Sequence, residues 1–357
     1  MMPQFKLKAA VLEALGKPLV IKELSPPKLL RGQVLVKIFF SGVCRSQVME
    51  AQGGRGVDQW LPHLLGHEGS GIVLKTGPDV CKVKVGDEVI LGWIKGDGIE
   101  APGAKYEYDN QVINSGRVTT FSNYTIVSEN RLVIKPKGLE FDVATLFGCA
   151  LPTGAGMVLN ELNLQPSSQV VVLGLGGIGL SALMAFKAMN IKTIIAIDVS
   201  EEKLALAKKI GATHTINSAT ENVELAIRKV SEQGVDICIE SAGTIETIEL
   251  GFQLIRTNGG KLLFASHPPE GKKISLSPHD LISGKKIAGS WGGASMPDID
   301  VPKIFKLFSD AKIPMESLLT KRYSLDQINI ALKDLELGRV FRPLIVMDHL
   351  DSNEESL

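Results

Sequence analysis

The sequence predicts an α/β protein in two parts, a β-rich barrel-like part and a doubly wound parallel sheet. Three observations carry this. Short β-branched runs broken by Gly, Pro and Asp fill about the first 150 residues. Strand and helix patterns alternate strictly from Gln169 onward. A glycine-rich turn stands where that alternation begins.

The β-rich part is read from "KAAVLEAL", "PLVIKEL", "QVLVKIFF", "GSGIVLKTG" and "GDEVILGW", with two more strands in "FSNYTIVSENRLVIKP". So many short strands and turns fold over on themselves. The rhythm then changes. "QVVVLGL" is a strand, "IGLSALMAFKAMN" an apolar helix and "TIIAIDV" a strand. "EEKLALAKKIGA" is a helix with Leu204, Ala207 and Ile210 on one face and Gly211 at its end. "THTIN", "VDICIE" and "GGKLLFAS" are further strands, separated by the helices "ENVELAIRKVSEQ" and "TIETIELGFQLIR". Helical crossovers of this kind make the strands parallel. After Trp291 the alternation stops. "VPKIFKLFSDAKI" and "LDQINIALKDLELG" are amphipathic helices and "RPLIVM" a last strand, predicted to return to the first part.

Composition narrows the function. Lys plus Arg equals Asp plus Glu at 39 each, which gives no electrostatic reason to expect nucleic acid or an acidic membrane as partner. Only "MDHLDSNEESL" reads as a short acidic end. The four cysteines, Cys44, Cys81, Cys149 and Cys238, have no tight pair spacing, so a reducing cytoplasm is expected rather than a disulfide framework. "MMPQFKLKAAVLEALGK" lacks the apolar core and small-residue site of a signal peptide. Residues 170–186 carry no charge, but the glycines among them predict a buried strand, turn and helix instead of a membrane span.

Those glycines form G-x-G-x-x-G: Gly174, Gly176 and Gly179, with Gly177 and Ile178 inside the pattern. They follow a strand and open a helix, the context that makes the pattern informative. They allow a pyrophosphate close to the N–H groups of the helix N-terminus. Asp198 ends the next strand, where a carboxylate accepts from ribose hydroxyls and repels a 2′-phosphate, favouring NAD. Its plainer reading is a cap for the following helix.

A second constellation is spread over three loops: Cys44 in "GVCRSQ", His67 and Glu68 in "LLGHEGSGIV", and Cys149 in "FGCALPTGAG". Each stands beside glycine or in a turn. Two thiolates, an imidazole and an open fourth position make a catalytic zinc site.

With these motifs the chain resembles, over nearly its whole length, the zinc-dependent alcohol dehydrogenases of the medium-chain dehydrogenase/reductase family. "GHEGSGIVLKTGPDVCKVKVGDEV", "GVCRS" and "GCALPTGAG" carry the resemblance. It implies a GroES-like barrel catalytic domain over 1–153 and 293–357, and a Rossmann NAD domain over 154–292. It implies one catalytic zinc held by Cys44, His67 and Cys149, with Glu68 able to approach the metal. Ser46 would take the substrate proton. Arg45 and Arg342 would bind the pyrophosphate, Arg342 alternatively being a solvated surface residue. Thr153 and Ile178 would pack around the nicotinamide, and Lys203 would lie near the adenosine ribose. The implied reaction interconverts an alcohol and its aldehyde or ketone, in a homodimer or homotetramer. Alternatives are a zinc-free quinone or enoyl reductase of the same family and a non-catalytic NAD-binding protein.

Three departures from the family pattern follow. Residues 93–125 lack the four cysteines of a second, structural zinc. Gln47 replaces an aspartate that orients the histidine ligand. Met49 stands where a histidine often ends the proton relay. Tyr106, Tyr108 and Asn110, in the same lobe, read as a surface loop, or alternatively as part of a polar pocket.

Overall fold

The alternating pattern becomes a six-stranded sheet in the computed structural model, which describes residues 6–349. Its strands lie in the spatial order His214–Asn217, Thr193–Asp198, Gln169–Leu173, Ile237–Glu240, Lys261–Phe264, Lys286–Gly289, and every neighbouring pair is parallel. Chain order runs outward from Gln169–Leu173 in both directions. The crevice outside the carboxyl ends at such a reversal is where doubly wound sheets bind ligands. Val170, Val171, Val172, Ile194, Ile195 and Ala196 are all buried, as expected of strands covered on both faces.

Residues 170–186 resolve into the strand Gln169–Leu173 and the helix Gly177–Ala188, as predicted. Among the described residues no single helix is long and apolar enough to cross a membrane. A bent pair, Phe141–Gly148 and Ala150–Glu161, has that length and composition only when the two are taken together.

The β-rich part forms two sheets. One orders Val20–Leu24, Leu7–Leu12, His63–Leu64, Gln111–Asn114, Lys105–Tyr108. The other orders Leu132–Ile134, Glu88–Gly92, Glu68–Thr76, Gln33–Gly42, Arg342–Val346, Leu319–Ser324, with Tyr124–Ser128 also paired to Gln33–Gly42. The long strand Gln33–Gly42 shows why "QVLVKIFF" is apolar almost throughout. Side chains of a strand alternate faces. Val34, Val36 and Ile38 pack with Leu12, Phe121 and Ile345, whereas Leu35 packs with Leu7, Ala9 and Tyr106. Both faces are core.

The chain divides into two compact units, 1–149 with 296–301 and 319–357, and 150–295 with 302–318. The strand "RPLIVM" joins the second β-sheet as Arg342–Val346. The acidic end, from residue 350, and the first five residues lie outside the described residues.

The loop reading of the Tyr106 lobe is corrected. Lys105–Tyr108 and Gln111–Asn114 form an antiparallel hairpin, with Asp109 and Asn110 at φ 47° and 62° in its turn. Tyr106 is fully buried, its hydroxyl accepts the N–H of Ile126 at 2.8 Å, and burial pushes its pKa up to about 12. Tyr108 lies under the Lys22 ammonium, 4.1 Å from the ring centroid. The alternation in "KYEY" marked a strand with one buried face.

Candidate active site

Three loops of the first unit converge. Cys44 caps the N-terminus of the helix Arg45–Ala51, His67 precedes the strand Glu68–Thr76, and Cys149 follows the turn Leu146–Gly148. The candidate ligand atoms of Cys44, His67 and Cys149 all lie within 4.8 Å of one another, and His67 Nε2 is 3.3 Å from Cys149 Sγ. Tetrahedral zinc ligands at their usual bond lengths lie about 3.3–3.8 Å apart, so the set needs little adjustment to fit the ion.

Glu68 lies beneath this cluster, fully buried, and Arg342 is 4% exposed. Arg342 Nη2 donates to Glu68 Oε2 at 2.7 Å. The surface-arginine reading of Arg342 is thereby corrected. Its strand, "RPLIV", is buried along nearly its whole length. Gly42 and Gly148 make the room, since a Cβ on either would strike the Glu68 side chain. Burial raises the Glu68 pKa, an effect the guanidinium only partly offsets. For Arg342, burial opposes the charge, but the carboxylate and the two sulfurs hold its proton more firmly still.

The two thiols shift each other in opposite directions. The hydrogen bond from Cys149 draws the Cys44 thiol well below its ordinary range, with help from Arg342 and His67. The same contact, with burial, pushes Cys149 well above it.

Several buried polar atoms here have no protein partner: Ser46 Oγ, Glu68 Oε1 and Arg342 Nε. Buried polar atoms are almost always hydrogen-bonded, so such a group of them marks a place where something binds. Arg45 is exposed at the start of its helix, and Met49 is half-buried one turn on.

The second unit carries the other predicted residues. Gly174 has φ +89°, and a Cβ there would press on Ala242. A Cβ on Gly179 would strike the Gly174 carbonyl. These two positions admit only glycine. Gly176 caps the helix Gly177–Ala188, with Ile178 half-buried in its first turn. Asp198 Oδ2 accepts the Leu175 N–H at 2.7 Å, and Oδ1 accepts the Ser200 N–H at 3.0 Å. The cap of the next helix is Ser200, so Asp198 supports the glycine turn instead of serving as that cap. Lys203 Nζ is 3.7 Å from Asp198. Thr153 Oγ1 is buried without a partner.

Sequence reasoning missed the pairing of Glu68 with Arg342 and the way Gln47 is oriented. The apolar company of Arg342 on its strand was the available signal for the first. No sequence signal was available for the second.

The comparisons agree with this geometry. The family profile described as "Alcohol dehydrogenase GroES-like domain" matches residues 30–137, and that described as "Zinc-binding dehydrogenase" matches 177–310. Alcohol dehydrogenase class-2 isozyme 2 of Oryctolagus cuniculus is 32% identical, over 96% of this chain and 98% of that protein. The crystal structure of benzyl alcohol dehydrogenase from Acinetobacter calcoaceticus superposes with TM-score 0.87 at 30% identity, over 96% of this chain and all of that one. An alcohol dehydrogenase zinc-binding domain protein from Burkholderia ambifaria gives TM-score 0.88 at 28% identity, over 97% and 100%. Identity at this level, sustained from end to end together with the fold, reflects common ancestry: the chain belongs to the zinc-dependent alcohol dehydrogenases of the medium-chain dehydrogenase/reductase family.

Proposed function

We propose that the protein oxidises an alcohol to its aldehyde or ketone, or reduces the carbonyl compound, with NAD in preference to NADP. The observation that carries this is the convergence of Cys44, His67 and Cys149 within 4.8 Å. These three residues hold one zinc ion, with Glu68 beneath them. Bound zinc supplies a Lewis acid for the substrate oxygen, and bound NAD supplies the hydride acceptor.

The chain's own residues do the rest. Ser46 Oγ, buried and without a partner, takes the substrate proton. Arg342 offsets the charge of Glu68 and the sulfurs, keeps Nε for the cofactor pyrophosphate, and shares that anion with Arg45. The N–H groups behind Gly174, Gly176, Gly177 and Gly179 cradle the pyrophosphate. Asp198 and Lys203 face the adenosine ribose, and Thr153 and Ile178 pack the nicotinamide. The catalytic roles thus fall to residues 1–153 with 293–357, which also lend Arg45, Thr153 and Arg342 to the cofactor, and the other cofactor roles fall to residues 154–292.

The protein works as a homodimer or homotetramer. Lys286–Gly289 is an edge strand, and Ile282 just before it is 84% exposed, a surface that a second copy would cover. All four cysteines are free. The ligand atoms of Cys44 and Cys149 lie within 4.8 Å of each other, and a disulfide between them would cost the metal two ligands, which supports the reading of a reducing cytoplasm.

A panel of alcohols and aldehydes assayed with NAD and NADP, read at the nicotinamide absorbance, tests the proposal. Turnover of some alcohol or carbonyl compound that stops on chelation of zinc and returns on its addition is expected. No turnover by zinc-replete protein across the panel would overturn it.

A further inference from the structure

Gln47 stands between two groups that make opposite demands on it. It is buried in the first turn of the helix Arg45–Ala51. Its Oε1 accepts the backbone N–H of Cys44 at 2.8 Å, and its Nε2 lies 2.8 Å from His67 Nδ1. An amide has one accepting end and one donating end. The Cys44 N–H can only donate, so the oxygen belongs there and the NH2 faces the imidazole. Nδ1 must then accept, and the ring hydrogen sits on Nε2, pointing at Cys149 Sγ 3.3 Å away. One arrangement satisfies all three contacts. In it, the Nε2 lone pair needed for a metal is occupied by hydrogen.

We infer that Gln47 is a positioning residue whose amide turns over when His67 takes a metal through Nε2. The inference rests on the ligand set proposed above. Nε2 gives its hydrogen to water and Nδ1 takes one up, with no net change in the protonation of the ring. Two donors, Nδ1–H and the Cys44 N–H, then face one amide oxygen. A ring polarised by a metal is the stronger donor, so the oxygen goes to it. The Cys44 N–H loses its acceptor and meets the NH2 instead. A carboxylate of the same shape would accept from both. Gln47 therefore weakens metal binding relative to Glu and ties metal loading to the N-terminus of Arg45–Ala51.

The test compares the zinc-free and zinc-loaded full chain labelled with 15N-histidine, His67 being assigned by its loss in His67→Gln. Long-range proton–nitrogen spectra are expected to show the Nε2–H tautomer without zinc and Nδ1–H with it. In a uniformly 15N-labelled sample the Gln47 NH2 and Cys44 N–H signals should move together on loading. Competition with a chromophoric chelator should show Gln47→Glu binding zinc about 10–100-fold tighter than native, the scale of such supporting contacts. Nδ1–H already present in zinc-free protein overturns the inference, as does Gln47→Glu binding zinc no tighter. If the native chain binds no zinc, the proposed ligand set fails and the inference with it. If zinc binds and His67 stays Nε2–H, the inference alone fails. The native spectra need no variant, so they decide even if Gln47→Glu does not fold.

Discussion

Glu129 does the work of a cross-link in the lobe that lacks the four cysteines. It is fully buried, in the turn Glu129–Arg131. Its Oε1 accepts the N–H groups of Cys81 and Lys82, and its Oε2 that of Ile99, each at 2.7 Å. Burial works against the charge, but the three N–H groups and the Lys82 cation together hold the carboxyl below its ordinary range. Hydrogen bonds to a charged group are worth about 1.5–3 kcal/mol each. Glu129→Ala leaves three donors unpaired. Water entering the space restores part of the loss, so destabilisation of about 3–5 kcal/mol is expected. Glu129→Gln keeps one oxygen for Cys81 and Lys82 and loses the Ile99 bond, at a cost of about 1.5–3 kcal/mol. Urea unfolding of zinc-loaded protein, followed by tryptophan fluorescence, measures both. A depressed carboxyl pKa stabilises the fold above the unfolded value, near pH 4.3, and that contribution disappears as pH falls through the lower folded value. The gap between native protein and Glu129→Gln should therefore shrink as pH drops from about 5 to about 3. A gap within about 0.5 kcal/mol at neutral pH, or one that does not shrink, refutes the reasoning.

The remaining predictions concern the site. Elemental analysis should find one zinc per chain, and Cys149→Ala should lose both zinc and turnover while NAD binding, read by fluorescence, survives. Asp198→Gly should narrow the preference for NAD over NADP, chiefly by weakening NAD; steady-state kinetics with both cofactors would show it, and equal efficiency of the native enzyme with both would contradict the role of Asp198. Ser46→Ala should slow alcohol oxidation roughly a hundredfold or more, the scale of a lost proton-transfer group. Met49→His should speed it where proton release limits turnover, and the pH–rate profiles of all three proteins decide; Ser46→Ala as fast as native would mean another route for the proton.

Much of this was legible because the needed signals are local. Gly174 and Gly179 declare themselves by a turn that no other residue fits, and Leu204, Ala207 and Ile210 by their spacing on one helix face. The cluster of candidate ligands was legible only jointly, since Cys44, His67 and Cys149 are each unremarkable alone and lie up to 105 positions apart in the chain. What was not legible depends on distant partners. The apolar run around Arg342 hints at burial, but the partner that explains it, Glu68, is 274 positions away. Tyr106 is a different case: its signal, the alternation in "KYEY", was local but lay in a stretch rich in turn residues. Gln47 was legible as a departure but not in its orientation, because Cys44 N–H and His67 Nδ1 had to be located before the amide could be read.

The charges of the first unit explain why the cluster suits a divalent ion. Arg342 pairs with Glu68 and also feels the two sulfurs, whose charge holds its proton more firmly. The contact between the two sulfurs draws the Cys44 thiol well below its ordinary range and pushes Cys149 well above it, so the second thiol holds its proton the more firmly. A divalent ion needs both sulfurs as thiolates, so any thiol proton must leave on loading and affinity rises with pH. Once loaded, two thiolates balance the ion, and Arg342 remains matched to Glu68. Removing the guanidinium would leave a buried carboxylate uncompensated, a loss of about 3–5 kcal/mol unless Glu68 takes up a proton. The glycines at 42 and 148, by admitting Glu68 beneath the ligands, are what make Arg342 necessary there. The arginine's first task is thus electrostatic support of the metal loops, and any hold on the cofactor uses the donors left after Glu68 is satisfied.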